Sequence, residues 1–265
     1  MDVTVDGKRA HAATGGREAG ADEPAVILIH GAGTDRTLWQ LQTRNIAHGG
    51  RRVFALDMPG HGHSEGPALT VIADMAGWVT RFMDAAGIES ASVIGFSMGS
   101  LVALELAANH PDRVERVVLV GIADEMPVHP DLLAAAEANQ ALGPELIVFW
   151  GLGAHARIGG HPHPGLWVSG VTETLLKHSK SGVLFADLAS CDVYKDGYAA
   201  AAKVKCPVRL VLGAEDSMAP AKKGLKLGEA MTGADVSSVV IPGAGHMMML
   251  EQPAAVYHAL KGFVF

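Results

Sequence analysis

Four short apolar runs punctuate the first half of the chain: Ala25-Val26-Ile27-Leu28-Ile29, Arg52-Val53-Phe54-Ala55-Leu56, Ser92-Val93-Ile94 and Val117-Val118-Leu119-Val120. None alternates apolar with polar residues strongly enough for a strand with one wet face, so each suits a strand covered on both sides. Between them lie Leu38 to His48, Val71 to Ala86 and Ser100 to Asn109, each long enough for a crossover helix. Repeated strand, helix and strand units of this kind predict an α/β fold, one mostly parallel sheet with helices on both faces. An N-terminal hairpin is expected ahead of it, because Val3-Thr4-Val5 and Ala10-His11-Ala12-Ala13 straddle Asp6-Gly7-Lys8.

After Gly121 the rhythm stops. The stretches Asp131 to Leu142, Pro144 to Trp150, Thr172 to His178 and Leu184 to Ala189 carry helical patterns, interrupted by the loop Gly159-Gly160-His161-Pro162-His163-Pro164-Gly165. Strand signals return at Val208-Arg209-Leu210-Val211-Leu212 and at Val236-Ser237-Ser238-Val239-Val240-Ile241. Residues 122–203 are therefore expected to form a helical cap inserted into a single core domain made of 1–121 and 204–265. A chain of 265 residues that is 49% hydrophobic can bury one substantial core. The Gly, Ala and charge-rich stretch from Ala13 to Glu23 is expected to be an exposed loop.

Charge narrows the partners. A formal net charge of −7 argues against nucleic acid and anionic membrane, since neither is attracted to such a surface as a whole. A neutral or apolar small molecule fits better, with the protein a monomer or homodimer. Cys191 and Cys206 stand fifteen positions apart without metal-ligand spacing, and no charged n-region with an apolar h-region is found, so a reduced cytoplasmic protein is expected. No apolar run is long enough to span a bilayer.

In α/β sheets, ligands gather beyond the carboxyl ends of the strands. His30-Gly31-Ala32-Gly33 follows Ile29, and Asp57-Met58-Pro59-Gly60-His61-Gly62-His63-Ser64 follows Leu56. Gly95-Phe96-Ser97-Met98-Gly99 follows Ile94 and opens a helical stretch, the pattern of a sharp strand-to-helix turn with a serine hydroxyl at its apex. Gly213-Ala214-Glu215-Asp216-Ser217 follows Leu212, and Pro242-Gly243-Ala244-Gly245-His246 follows Ile241. One strand end offers a hydroxyl, another a carboxylate and another an imidazole.

Together the HGAG at 30–33, DMPGHGHS at 57–64, GFSMG at 95–99, GAEDSMAP at 213–220 and GAGHMMMLEQP at 243–253 resemble the α/β-hydrolase family over nearly the whole chain. The likeness is to its carboxylesterase-like serine hydrolases with a helical cap. It implies an eight-stranded, mostly parallel sheet, a cap after the sixth strand, and a nucleophile, acid and base in that chain order. Serine at the elbow separates the chain from relatives that carry Asp there, such as epoxide hydrolases and haloalkane dehalogenases. On this resemblance Ser97 is the nucleophile and His246 the base that takes its proton, which requires a neutral imidazole at rest. Asp216 would hold the imidazole's tautomer. It is favoured over Glu215 and Asp124 because the GxxDxxxP pattern matches by position. The backbone N–H groups of Ala32 and Met98 would hold the oxyanion.

The family reading makes His30 and Asp57 chiefly loop-shaping residues and leaves His61 and His63 beside the site. Trp39, Trp150, Trp167 and Met247 are candidates for an apolar substrate pocket. His155, His161 and His163 lack a neighbouring Cys, Asp or Glu cluster, so no metal is assigned. The implied activity is hydrolysis of a small, largely uncharged ester through an acyl-enzyme, without a cofactor. Relatives that use the same triad as C–C hydrolases, lactonases, aminopeptidases or cofactor-free perhydrolases stay open, as does a hydrolase-fold small-molecule receptor. Met247 stands where the C–C hydrolases usually carry Trp, while Asp124 and Glu125 keep the aminopeptidase reading alive.

Overall fold

In the computed structural model, which describes residues 1–20, 22–163 and 165–265, the chain opens with the hairpin β1 (Asp2–Val5) and β2 (Lys8–Ala13). Asp6 and Gly7 turn it at positive φ (51° and 75°), the backbone that matches the twist of a two-residue hairpin. There follow β3 (Ala25–Ile29), α1 (Thr43–His48), β4 (Arg52–Leu56), α2 (Ile72–Ala85), β5 (Ala91–Phe96), α3 (Met98–Asn109) and β6 (Val114–Val120). The single helix expected over 38–48 is divided. Asp35 accepts the Thr37 N–H at 2.7 Å and caps a 3-10 turn at Arg36–Trp39, and α1 starts only afterwards.

Among the described residues, six helices separate β6 from the next strand: α4 (Pro130–Glu137), α5 (Leu142–Gly151), α6 (Ala154–Arg157), α7 (Val168–Lys177), α8 (Val183–Val193) and α9 (Gly197–Ala201). The chain closes with β7 (Val208–Gly213), α10 (Ala221–Glu229), β8 (Val236–Ile241), α11 (Met248–Glu251) and α12 (Pro253–Leu260). The helical pattern read over 131–142 breaks at Asn139. That residue adopts φ 52°, and its side-chain carbonyl accepts the Gly182 N–H at 2.9 Å, a bond available only if the helix stops. No helix among the described residues is long and apolar enough to cross a membrane.

The eight strands form one sheet in the order β1-β2-β4-β3-β5-β6-β7-β8. The β1/β2 and β2/β4 pairs are antiparallel and the other pairs parallel. Alternation sorts the buried strand residues into two layers. Ala25, Ile27, Ile29, Ala91, Val93, Val117 and Leu119 face the core shared with α2 and α3. Val26, Leu28, Ile94, Phe96, Val118 and Val120 face the core shared with α1 and α12. Every residue of β3 and β5 is buried, which is why their runs carry no polar alternation.

The helices after β6 build a small core of their own from Leu132, Ala136, Ile147, Leu176, Leu184 and Leu188. The C-terminal part of the segment behaves differently. Cys191, Tyr194, Ala200 and Ala201 join the layer of α2 and α3, and the Tyr194 hydroxyl donates to Glu105 of α3 at 2.7 Å.

Candidate active site

β5 ends at Phe96 and α3 begins at Met98, so Ser97 alone turns the chain. It does so at φ 53° and ψ −119°, a backbone that side chains of L residues rarely adopt. The strand end and helix start cross so closely that a Cβ at Gly95 would overlap the Gly99 carbonyl, and one at Gly99 the carbonyls of Ile29 and His30. Glycine at both positions is what lets the turn close. The Ser97 N–H donates to Val120 O at 2.9 Å, and its own carbonyl accepts the Ser100 N–H at 2.8 Å. The Ser97 side chain makes no capping bond to α3; the residue is half-buried and lines a cavity at the sheet's carboxyl edge.

His246 reaches that cavity from the loop after β8. Its Nδ1–H donates to Asp216 Oδ2 at 2.7 Å, and both side chains are buried. Asp216 is itself oriented, because Oδ1 accepts the N–H groups of Met218 (2.9 Å) and Ala219 (2.8 Å). Of the three carboxylates considered from sequence, Asp216 is the one bonded to His246. Glu215 instead accepts the Ala154 N–H at 2.7 Å, and the backbone of Asp124 packs against Gly197. The ring of Phe96 lies 4.8 Å from that of His246, and Gly121, at φ 61°, leaves room for the imidazole and the Asp216 carboxylate.

The cavity has a volume of about 330 Å³. Met126, Val128, Leu132, Ile147, Trp150, Leu176 and Leu188 line it from the segment after β6, with Phe96 and Met247 from the sheet's carboxyl end. Thr34, Ser97, His129, Ser217 and His246 supply its polar groups, and none of the residues lining it is Lys, Arg, Asp or Glu. Ala32 also lines it, whereas Met98 is fully buried directly behind Ser97.

Two of the four expected pocket residues stand elsewhere. Trp39 is fully buried in the layer shared with α1 and α12, because the 3-10 turn points both it and Leu38 inward. Trp167 is 65% exposed at the start of α7, its ring lying over Gly170. Trp150 and Met247 line the cavity. Asp57 accepts the Arg36 and His63 N–H groups and pairs with the Arg36 guanidinium, so it shapes its loop. His30 does likewise, donating to Gly31 O (2.9 Å) and accepting the Met58 N–H (3.2 Å). His161 bonds Leu250 O at 2.7 Å, and no group of metal-ligand residues occurs among the described residues; Pro164, read as part of the same rigid loop, lies outside them.

Sequence reasoning missed two buried carboxylates that hold the loops of the site. Glu251 Oε2 accepts the N–H groups of Gly153 (2.8 Å) and Gly245 (3.1 Å), so it ties the loop carrying His246 to the helical segment. Burial pushes its carboxyl above the ordinary value. Asp187 Oδ2 accepts the Gly33 N–H at 2.8 Å and bonds His61 Nε2 at 2.8 Å. A signal for it exists: Asp187 interrupts the apolar run Val183-Leu184-Phe185-Ala186 before Leu188-Ala189, and a lone acid on a buried helix face demands a partner.

A parallel sheet presenting a serine on an elbow and a carboxylate-bonded imidazole to one apolar cavity defines the class, a hydrolase of α/β architecture. The family model described as the alpha/beta hydrolase fold matches residues 24–147. The carboxylesterase YbfK of Bacillus subtilis (strain 168) is 28% identical over 256 residues, 92% of this chain and 81% of that protein. The dihydrolipoyllysine-residue acetyltransferase component of the acetoin cleaving system of Cupriavidus necator is 48% identical over 118 residues, but these are 44% of this chain and only 30% of that protein. Among solved structures, the enol-lactonase from Burkholderia xenovorans LB400 superposes with a TM-score of 0.86 at 25% identity, covering 98% of both chains. The chain has the α/β-hydrolase fold and resembles hydrolases of the carboxylesterase-like kind.

Proposed function

We propose that the protein hydrolyses small, uncharged esters through an acyl-enzyme formed on Ser97. The observation that carries this reading is the buried Asp216–His246 pair on the same uncharged cavity as Ser97. With Nδ1 committed to Asp216, His246 Nε2 is the nitrogen left to take the Ser97 proton as Oγ attacks the ester carbonyl. The Ala32 and Met98 N–H groups receive the oxygen that becomes negative. Collapse expels the alcohol, which leaves with the proton from His246. Water then attacks the acyl carbonyl and gives its proton to the same imidazole, and as the C–Oγ bond breaks Ser97 Oγ takes that proton back and the acid is released.

Charge sets the substrate class. Placing an ionised group in a cavity without a countercharge costs several kcal/mol, so neutral acyl and alcohol parts fit and amines or carboxylates do not. Within residues 122–203, the helices α4, α5, α7 and α8 act as the cap, since Leu132, Ile147, Leu176 and Leu188 roof the cavity that Ser97 floors. The likeness to a carboxylesterase and an enol-lactonase, both named for opening ester linkages, supports the choice of bond.

The test is a panel of p-nitrophenyl esters and unsubstituted lactones, run beside a fluorophosphonate label with mapping of the modified peptide. Short neutral acyl esters should turn over and the label should sit on Ser97. Turnover that survives Ser97→Ala, or a label on another residue, would overturn the assignment.

A further inference from the structure

His61 lies on the loop after β4, is buried, and plays no part in the chemistry proposed above. Its two ring nitrogens meet the Pro59 carbonyl at 3.0 Å and Asp187 Oδ2 at 2.8 Å. Both partners are acceptors. A neutral imidazole has only one N–H, so one of its nitrogens would direct a lone pair at an oxygen. Against a carboxylate the ring satisfies both bonds only as the imidazolium.

Asp187 comes from α8, whose Leu188 and Cys191 line the cavity. The same Oδ2 that meets His61 also accepts the Gly33 N–H at 2.8 Å. Gly33 follows Ala32 directly, and Ala32 lines the same cavity as Ser97. Asp187 Oδ1 has no hydrogen-bond partner and is buried, so the His61 charge compensates the carboxylate in its pocket. Three elements therefore converge on one oxygen: the loop after β3, the loop after β4 and α8.

We infer that Asp187, paired with the His61 imidazolium, is a positioning residue that sets the Ala32 N–H for oxyanion stabilisation and makes that setting depend on α8 being seated on the sheet. The inference rests on the ester-hydrolase reading. A backbone N–H held by a charged acceptor one residue away is fixed before the reaction, and preorganised donors of this kind act on the transition state rather than on the ground state. The pair therefore controls kcat, and the substrate's affinity is left to the apolar walls.

The surroundings favour the charged ring. Burial opposes the charge on His61, but the Asp187 carboxylate and its hydrogen bond outweigh it, with the Pro59 carbonyl adding to them, and the net shift is upward. His30, its ring 4.6 Å away, moves the other way through burial first and the His61 charge second, in keeping with its neutral role as donor to Gly31 and acceptor from Met58. The other ionisable groups around the pair are Asp57 on the β4 loop, itself bonded to Arg36, Cys191 one turn along α8, whose thiol burial pushes up, and Lys180, which donates to Ser64 O at 3.0 Å. Since His61 is raised, the imidazolium is complete below the ordinary histidine value and is lost as pH rises through the higher value of the folded state.

The experiment compares wild type with Asp187→Asn, His61→Gln and Ser97→Ala on a neutral p-nitrophenyl ester. It adds the affinity of a methyl trifluoromethyl ketone, whose adduct carries an oxyanion, and the ¹⁵N signals of His61. Asp187→Asn should lower kcat roughly 10- to 100-fold, leave KM within about twofold, and weaken the ketone by the same factor as kcat. His61→Gln, which keeps an N–H for the carboxylate, should lose less and should lack the alkaline fall in kcat. Both His61 nitrogens should be protonated at neutral pH in wild type. Should Asp187→Asn not fold, His61→Gln carries the same comparison. A loss that appears in KM alone, an unchanged ketone affinity or a neutral His61 overturns the inference. Turnover that disappears in Ser97→Ala while Asp187→Asn is fully active overturns the clamp alone, whereas turnover that survives Ser97→Ala overturns the ester reading and the clamp's catalytic role together.

Discussion

Ser97, His246 and Asp216 come from three strand ends, and each is placed chiefly by bonds that its neighbours make. Ser97 is held through its backbone to Val120 and Ser100, and Asp216 through the N–H groups of Met218 and Ala219. On the proposed mechanism they act as one unit, so His246→Ala should cost about as much kcat as Ser97→Ala, around 10³-fold or more, with the double variant little worse. Additive losses in a steady-state assay would count against a shared proton path. The two tryptophans on either side of the pocket's boundary offer a contrasting pair. Trp150→Ala should raise KM for the larger acyl esters several-fold while leaving unfolding nearly unchanged. Trp39→Ala should remove about 3 to 5 kcal/mol of stability, read by urea denaturation, because it empties a fully buried site.

At the scale of elements, the carboxylate of Glu251 joins two segments far apart in sequence, the loop at Gly153 and the loop at Gly245 just before His246. Glu251→Gln keeps an oxygen for both N–H groups and should retain most activity, whereas Glu251→Ala should lose about 1 to 3 kcal/mol in stability and kcat with it. Thermal unfolding and turnover on the same preparations separate these outcomes. The elements themselves were largely visible in the chain. Strands buried on both faces leave unbroken apolar runs, and β3, β4, β5 and β6 stand where those runs stand. The divided helix after β3 and the break at Asn139 were not visible, since both depend on a side chain finding a distant or capping partner rather than on periodicity. The same holds within the site: an elbow, a strand-end acid and a strand-end histidine are local patterns, but the inward turn of Trp39 and the reach of Asp187 to Gly33 are set by how segments pack.

For the whole molecule, the buried histidines shape the dependence of stability on pH. His30 is held below its ordinary value by burial, so the unfolded chain binds the extra proton and stability should rise as pH climbs toward 6.5. His61 is raised despite its burial, because Asp187 holds the charge, so the folded chain keeps a proton the unfolded chain releases and stability should fall as pH climbs past 6.5. Glu251, raised by burial, opposes the acid-side gain above its ordinary 4.5. The expected curve of unfolding free energy has its maximum near pH 6.5, and His61→Gln should flatten its alkaline side. A curve that still rises above neutrality in wild type would contradict the imidazolium.

The left-handed turn at Ser97 has an implication for the chain's durability. The sheet forces on this serine a backbone that glycine adopts freely and other residues resist by roughly 1 to 3 kcal/mol, and glycine's larger entropy loss on folding returns only about 0.5 to 1 kcal/mol of that. Ser97→Gly should therefore melt at a higher temperature than wild type, while Ser97→Ala, which keeps the Cβ, should not. Selection for thermal endurance alone would erase the one hydroxyl on which the proposed activity depends.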